Sequence, residues 1–438
     1  KLGMETFVST SPTPSRGTPA AEAQLAAAYD AHPLLDPLLP SRHPRLTRLW
    51  LDTYRRMMRD REVFDRVVRG YVMPAGSRSS AAVDLVPYFH DADAYLNDLL
   101  RLVPDSLARH LAPLPETRGA STIRDLLKAT FAGPYTRSRY EAQRKLYLAK
   151  LLFDIDHSRS VRDGPKHRAR FEHIVKDAVL SEVVPGDVVE VFGILDRRAD
   201  GSLGLSMARQ PRPGARSFRF RPRRLLADGR DPAIEIFHYK SRFKRESDPA
   251  TDTLADEGWV RIAEAPRWPG LGRYSGSILS KMIRRAIPDP RMVQDLLGAM
   301  FIVGDRTQAY ALERKLVAAF GGPLRSRDRV DTLAGGRDRA RLDSQSDSGF
   351  LVLKQIVDIL MDDPASDVPY LFSVEIQIFP LEAYLSTLYD AHFASHAAYK
   401  RRQFLHELLP ILFPAAIYGG STAVGFEDAA GRLPVDLS

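Results

Sequence analysis

Apolar residues recur every three or four positions in the first part of this chain. Leu46, Leu49, Tyr54, Met57, Met58, Phe64, Val67, Val68 and Tyr71 keep that spacing, which is the repeat of an amphipathic helix. After about residue 170 the pattern changes to β-type residues, as at Val188, Val189, Val191, Phe192 and Ile194. From about residue 233 helical and strand-like stretches alternate. No single layer of one element type can bury such a sequence, so the chain must build a helical part, a strand part and a mixed part. Length agrees: 438 residues exceed one ordinary domain and supply enough surface for a large core.

The division expected from these changes is a flexible Ser/Thr/Pro-rich tail over 1–19, a helical domain over 20–165, a small β module over 170–230, a mixed α/β domain over 233–410 and a tail over 411–438. The fold class is α+β multidomain, with a helical N-terminal bundle, a small β module and a C-terminal mixed-sheet α/β domain. Helices are expected near 79–102, 121–132, 136–155, 277–286, 307–320 and 381–409, and strands near 234–243, 299–303, 350–359 and 371–379. The polar stretch 321–349 reads as a long loop.

The chain has no cysteine, which excludes disulfides, thiolate metal sites and cysteine nucleophiles. No run of about 18 apolar residues is present, so no membrane-spanning helix is expected. No charged-then-apolar leader is read at the start, and the expected compartment is the cytoplasm. The net charge of +8 is modest for this length, and its distribution says more. Eight arginines fall between Arg209 and Arg230, where Phe218 and Phe220 alternate with Arg219 and Arg221. A basic strand with aromatic residues fits an oligonucleotide-binding barrel that contacts nucleic acid. It fits equally a charged edge that discourages aggregation.

Phosphate-binding P-loop, serine-elbow and zinc-protease signatures are absent. Gly270-Leu-Gly272-Arg-Tyr-Ser-Gly276 precedes a helix that opens near Ser277. Free N–H groups at such a start suit anionic oxygens, and the same residues serve as a plain connector and cap. The strand Leu371-Phe-Ser-Val-Glu-Ile-Gln-Ile-Phe379 is more informative. Alternation places Phe372, Val374, Ile376 and Ile378 on one face and Ser373, Glu375 and Gln377 on the other. A carboxylate amid so apolar a strand must be paired, solvated or bound to a metal. Asp295 precedes another apolar strand. Two carboxylates on neighbouring strands can share one Mg²⁺. They can equally be a cap and a solvent-facing residue.

Several fragments, in order, resemble the RelA/SpoT-type alarmone synthetase domain over about residues 234–402. Ser277-Ile-Leu-Ser-Lys281-Met282 is similar to the family's S-I-x-x-K-M helix. Asp295-Leu-Leu-Gly298-Ala-Met-Phe-Ile-Val303 is similar to its D-L-x-G-x-R-x-I-V strand. Ser348-Gly349-Phe350-Leu-Val-Leu-Lys354 resembles the acceptor segment G-Y-x-S-L-H. Val374-Glu375-Ile-Gln377-Ile378 resembles the E-x-Q-I strand, and His396-Ala-Ala-Tyr399-Lys400 follows it like H-W-x-Y-K. That family moves pyrophosphate from ATP to the 3′-hydroxyl of GDP or GTP, and its toxin members move it to the 3′ end of tRNA.

The resemblance implies a nucleotidyltransferase-like fold, Mg²⁺ as cofactor, ATP as donor and a guanosine nucleotide or tRNA end as acceptor. Asp295 and Glu375 would hold Mg²⁺, and Glu375 would help activate the attacking hydroxyl. Phe350 would stack on the acceptor guanine. Lys240, Arg242, Lys244 and Arg273 would meet donor phosphates. Ser277, Lys281, Lys354 and Gln377 occupy further nucleotide-binding positions, and Arg325, Arg327 and Asp328 fall near an acceptor-side R-x-K-D segment. Met300 stands where the family has the arginine that packs on adenine. Phe379 stands for a second arginine, and Lys354 for a histidine.

The family's hydrolase half needs paired His-Asp motifs. His90-Asp91 is the one adjacent pair, without its companions, so hydrolysis is not expected. Two further readings stand beside the synthetase. One is a non-catalytic nucleotide- or RNA-binding protein of the same fold. The other is an interaction protein whose helical part docks or neutralises a partner.

Overall fold

The computed structural model describes residues 52, 54–72, 85–131, 137–184, 190–197, 203–213, 216–227, 229, 231–244, 275–334, 351–363, 368–389 and 402–419. The first expected tail, 1–19, and the end of the last one lie outside them. Helices α1 (Arg61–Val72), α2 (Val86–Leu100), α3 (Asp105–Leu111), α4 (Ile123–Phe131) and α5 (Arg137–His157) form the first part. Helix α5 runs for 21 residues without Gly or Pro, as its Ala, Leu, Lys, Arg and Gln content favours. It is buried on most sides, with Tyr140, Leu148, Leu152 and Ile155 among its core residues. Helix α6 (Gly164–Ala178) opens on Gly164-Pro165, proline suiting a first helical turn.

Two sheets follow. Strands β1 (Val191–Arg197), β2 (Leu203–Ala208) and β3 (Arg216–Phe220) form an antiparallel sheet in the order β2-β1-β3. The larger sheet has six strands in the order β4-β5-β6-β9-β8-β7. These are β4 (Arg223–Leu225), β5 (Ile234–Phe243), β6 (Leu297–Val303), β7 (Ser326–Asp331), β8 (Leu353–Met361) and β9 (Tyr370–Pro380). Only β6 and β9 pair in parallel, so the sheet is mixed. Helices α7 (Gly276–Arg284) and α8 (Arg306–Ala319) belong to this part, and α9 (Leu381–Tyr389) follows β9. Asp305 starts α8, its carboxylate accepting the Gln308 N–H at 3.0 Å.

One face of the large sheet is dry. Tyr239, Phe243, Leu297, Phe301, Leu353, Val357, Val374 and Ile376 share a core cluster with Tyr95 and Leu99 of α2, Leu152 of α5, Phe171 and Val175 of α6, Leu279 of α7 and Leu312 of α8. Helices α2, α3, α5 and α6 and the sheet therefore share one apolar interior, while Leu126 of α4 packs with Phe89, Leu146 and Phe153 in a second cluster. The opposite face carries Lys240, Arg242, Gly298, Met300, Ser373, Glu375, Gln377 and Lys354 at paired positions. One end of that face is covered. Phe220 of the small sheet packs with Phe237, Ile302, Val352, Phe379, Leu381 and Leu385.

Several expectations are corrected. Residues 164–178 are helix, so the β module does not begin at 170. Phe171, Ile174, Val175 and Ala178 have helical spacing, and the β-type run begins only after them, at Val188. Among the described residues the small sheet has three strands and is open, not a closed barrel. The stretch 321–349 contains strand β7. Ser-Arg-Asp-Arg-Val-Asp is too polar to read as a strand, and its charges suit an exposed sheet edge. The helix expected over 381–409 is described as α9 to Tyr389 and then as a π-helix over Phe404–Leu408. Leu412, Phe413 and Tyr418 are buried, so the region assigned to a tail from 411 is packed at its start.

Candidate active site

Register brings the site together. Lys240 on β5 faces Met300 on β6, which faces Gln377 on β9, which faces Lys354 on β8. The adjacent row is Arg242, Gly298, Glu375 and Ile356. Each row crosses four neighbouring strands and spans about 14 Å at the backbone. Glu375 sits near the middle, on the face that the alternation of β9 gives it, and is buried there. Its Oε2 pairs with Lys354 Nζ at 2.5 Å and its Oε1 accepts the Gln377 amide at 2.6 Å. Gly298 beside it leaves the backbone of β6 open next to Glu375.

Asp295 lies just before β6. Its Oδ2 accepts ion pairs from Lys244, at the end of β5, and from Lys281 of α7, the latter at 2.6 Å. The Lys244 N–H also bonds the Leu296 carbonyl at 2.9 Å, which fixes the turn that carries it. Burial pushes the Asp295 carboxyl up, but Lys244 and Lys281 outweigh it and hold the group well below the usual carboxylate range. Burial lowers the Lys281 ammonium to about 8, with Asp295 pulling it upward and Lys244 downward. Glu375 also acts on Lys281, so both carboxylates and this lysine share one electrostatic neighbourhood.

Helix α7 is held from three sides. Ser280 shares a hydrogen bond with the Tyr95 hydroxyl at 2.8 Å. Arg284 pairs with Glu407, and Lys281 pairs with Asp295. Ser277 stands in the first turn, after Ser275 in the left-handed region at φ 53°. Farther along the same face, Arg327 forks onto Asp358 at 2.8 and 3.0 Å and reaches the Ser373 hydroxyl at 2.6 Å. Spacing alone did not find this triad, because β7 did not read as a strand.

Of the residues expected from sequence, Asp295, Glu375, Lys240, Arg242, Lys244, Lys281, Lys354, Gln377 and Met300 lie on or beside this face. Arg325 and Asp328 flank Arg327 at the sheet edge. Arg273, Phe350, His396, Tyr399 and Lys400 lie outside the described residues. Met300 and Phe379 pack on the apolar end of the face, with Phe379 5.6 Å from the Tyr384 ring. A charged arginine at the buried Phe379 position would be desolvated there.

Among the described residues no group of three or more His, Cys, Asp or Glu is placed to hold a metal. Asp295 Oδ1 is nevertheless buried without a hydrogen-bond partner. That oxygen, with Glu375, suits an ion that arrives already carrying oxygen ligands of its own, as Mg²⁺ does on a phosphate chain. The surrounding lysines disfavour a bare cation and favour an anion.

No protein-family model matches this sequence, and no curated protein does. Among solved structures, the chain is similar to the crystal structure of the small alarmone synthetase 1 from Bacillus subtilis bound to its product pppGpp. The identity is 17%, the TM-score 0.22, and the match covers 41% of this chain and 81% of that one. No helix among the described residues is long and apolar enough to cross a membrane.

Proposed function

We propose that the polar face of the six-stranded sheet binds a nucleotide through its phosphates and transfers pyrophosphate from ATP to the 3′-hydroxyl of a guanosine nucleotide or tRNA end. The observation that carries this reading is Glu375, buried at the centre of a face lined by Lys240, Arg242, Lys281 and Lys354. The ordered motif resemblance over 234–402 supplies the reaction class. The acceptor oxygen attacks the β-phosphorus of ATP. A new O–P bond forms as the bridging bond to the α-phosphate breaks, and AMP leaves. Glu375 is the group to take the hydroxyl proton. The basic side chains orient the phosphates and balance charge on the transferred group. Asp295 Oδ1 and Glu375 would hold Mg²⁺, which supplies Lewis-acid stabilisation of phosphate oxygens.

Labelled ATP incubated with GDP, GTP or tRNA tests the proposal. Wild type is expected to transfer label, and Glu375→Gln to lose about 10²–10⁴-fold in rate. No transfer to any acceptor, with the variant indistinguishable from wild type, rejects it. A second reading is favoured by one observation. Met300 and Phe379 belong to a packed apolar cluster, which suits a non-catalytic nucleotide-binding protein. That reading expects binding without transfer, unchanged in Glu375→Gln.

A further inference from the structure

We propose that Asp295 is a positioning residue for Lys244 and Lys281, and that the face takes up the phosphate chain of its ligand without needing a metal ion. This rests on the oligophosphate site proposed above and concerns how that site binds. Lys244 and Lys281 come from different elements, the end of β5 and the second turn of α7. Both place their ammonium groups on the same oxygen, Asp295 Oδ2. Two ammonium groups that close repel, and Lys281 is largely withdrawn from water, with its side chain 12% exposed. The carboxylate between them is the counter-ion that keeps them together. Without it both lysines are free to separate toward solvent.

The wider charge pattern points the same way. Among the described residues, Arg242, Lys244, Lys281 and Lys354 outnumber Asp295 and Glu375 around this part of the face. Each carboxylate already carries at least one lysine. Such a face is an anion receptor assembled before its ligand arrives, and preassembly spares the cost of ordering long side chains on binding. A divalent ion entering alone would meet ammonium groups on Asp295 Oδ2 and on Glu375 Oε2. The unpartnered Asp295 Oδ1 is reached more favourably by an ion already bound to phosphate. Metal then serves transfer, while the lysines serve binding.

Isothermal titration of the full chain with inorganic tripolyphosphate and with ATP, each in Mg²⁺ and in EDTA, tests this. Wild type is expected to bind in EDTA within about threefold of its affinity in Mg²⁺. Asp295→Asn removes a negative charge from a cationic face, which by Coulomb attraction alone would tighten anion binding. A positioning role instead predicts at least about tenfold weaker binding in EDTA. Unchanged or tighter binding by Asp295→Asn in EDTA overturns the inference. Binding by wild type in Mg²⁺ alone overturns it while leaving the proposed function standing. No binding in either buffer overturns both. Should thermal melting show Asp295→Asn unfolded, Lys281→Met decides: a loss of about tenfold in EDTA supports the inference and no change rejects it.

Discussion

His167 lies flat on Phe372, ring centroids 3.8 Å apart, with Nε2 2.7 Å from the Tyr370 hydroxyl. Burial lowers its pKa from 6.5 to about 4, partly opposed by Asp163. The unfolded chain takes up this proton near pH 6.5 and the folded one only near pH 4. The neutral ring's stabilising contribution is therefore fully present above about pH 6.5 and is lost as pH falls toward 4. We expect this residue to contribute about 3 kcal/mol of acid sensitivity across that window. Urea midpoints at pH 7.5 and 4.5 check it: His167→Phe should depend on pH less steeply than wild type, and equal slopes would reject the assignment. Glu375 illustrates what was legible at this scale. Its face followed from alternation along β9, because side-chain direction in a strand is a local property. Its partner Lys354 lies on another strand, and no spacing rule names it.

Helix α6 and strand β5 meet at Gly164. A Cβ there would lie 2.5 Å from the buried Phe243 ring. Gly164→Ala is expected to destabilise by about 1–3 kcal/mol through overpacking, read as a lower thermal midpoint. The small sheet depends on one anchor in a similar way. Phe220 is buried against Phe237, with ring centroids 5.6 Å apart in an edge-on arrangement. Phe220→Ala should cost about 3–5 kcal/mol and raise amide exchange through β1–β3. A variant with wild-type protection there would show that the sheet is held elsewhere. The interiors of α7, β5 and β9 are readable because their periods are strong, and α5 because its 21 residues of helix formers carry no Gly or Pro. The second half of α6 is masked in the sequence by the strand-like residues that follow it closely. Strand β7 leaves no apolar repeat because an edge strand buries little.

Taken whole, the molecule buries α2, α3, α5 and α6, its large sheet and the apolar residues from Phe404 to Tyr418 in one interior. Arg144 of α5 is buried and donates to the Leu412 carbonyl at 2.6 Å and the Tyr418 hydroxyl at 2.8 Å, while covering the Phe413 ring. Arg144→Met should cost about 3 kcal/mol by removing these two buried charge-assisted hydrogen bonds, with the Tyr140 hydroxyl left donating to the Leu412 carbonyl at 3.1 Å, and raised amide exchange over 404–418 is the readout. Deleting residues 1–165 removes Tyr95, Leu99 and Leu152 from the cluster that includes Leu279 and Phe301. The remainder is expected to lose cooperative melting. A soluble, cooperatively folded remainder would show that the sheet stands alone. Helical first part, mixed later part and the position of Glu375 on the polar face of its strand were determined by sequence, since hydrophobic period is a local property. The meeting of Lys244, Lys281 and Asp295, and the packing of Phe220 of the small sheet in one cluster with Phe379, were decided by tertiary structure. Those contacts depend on strand register and on where α7 and Phe220 dock, and such long-range geometry leaves no periodic trace in the chain.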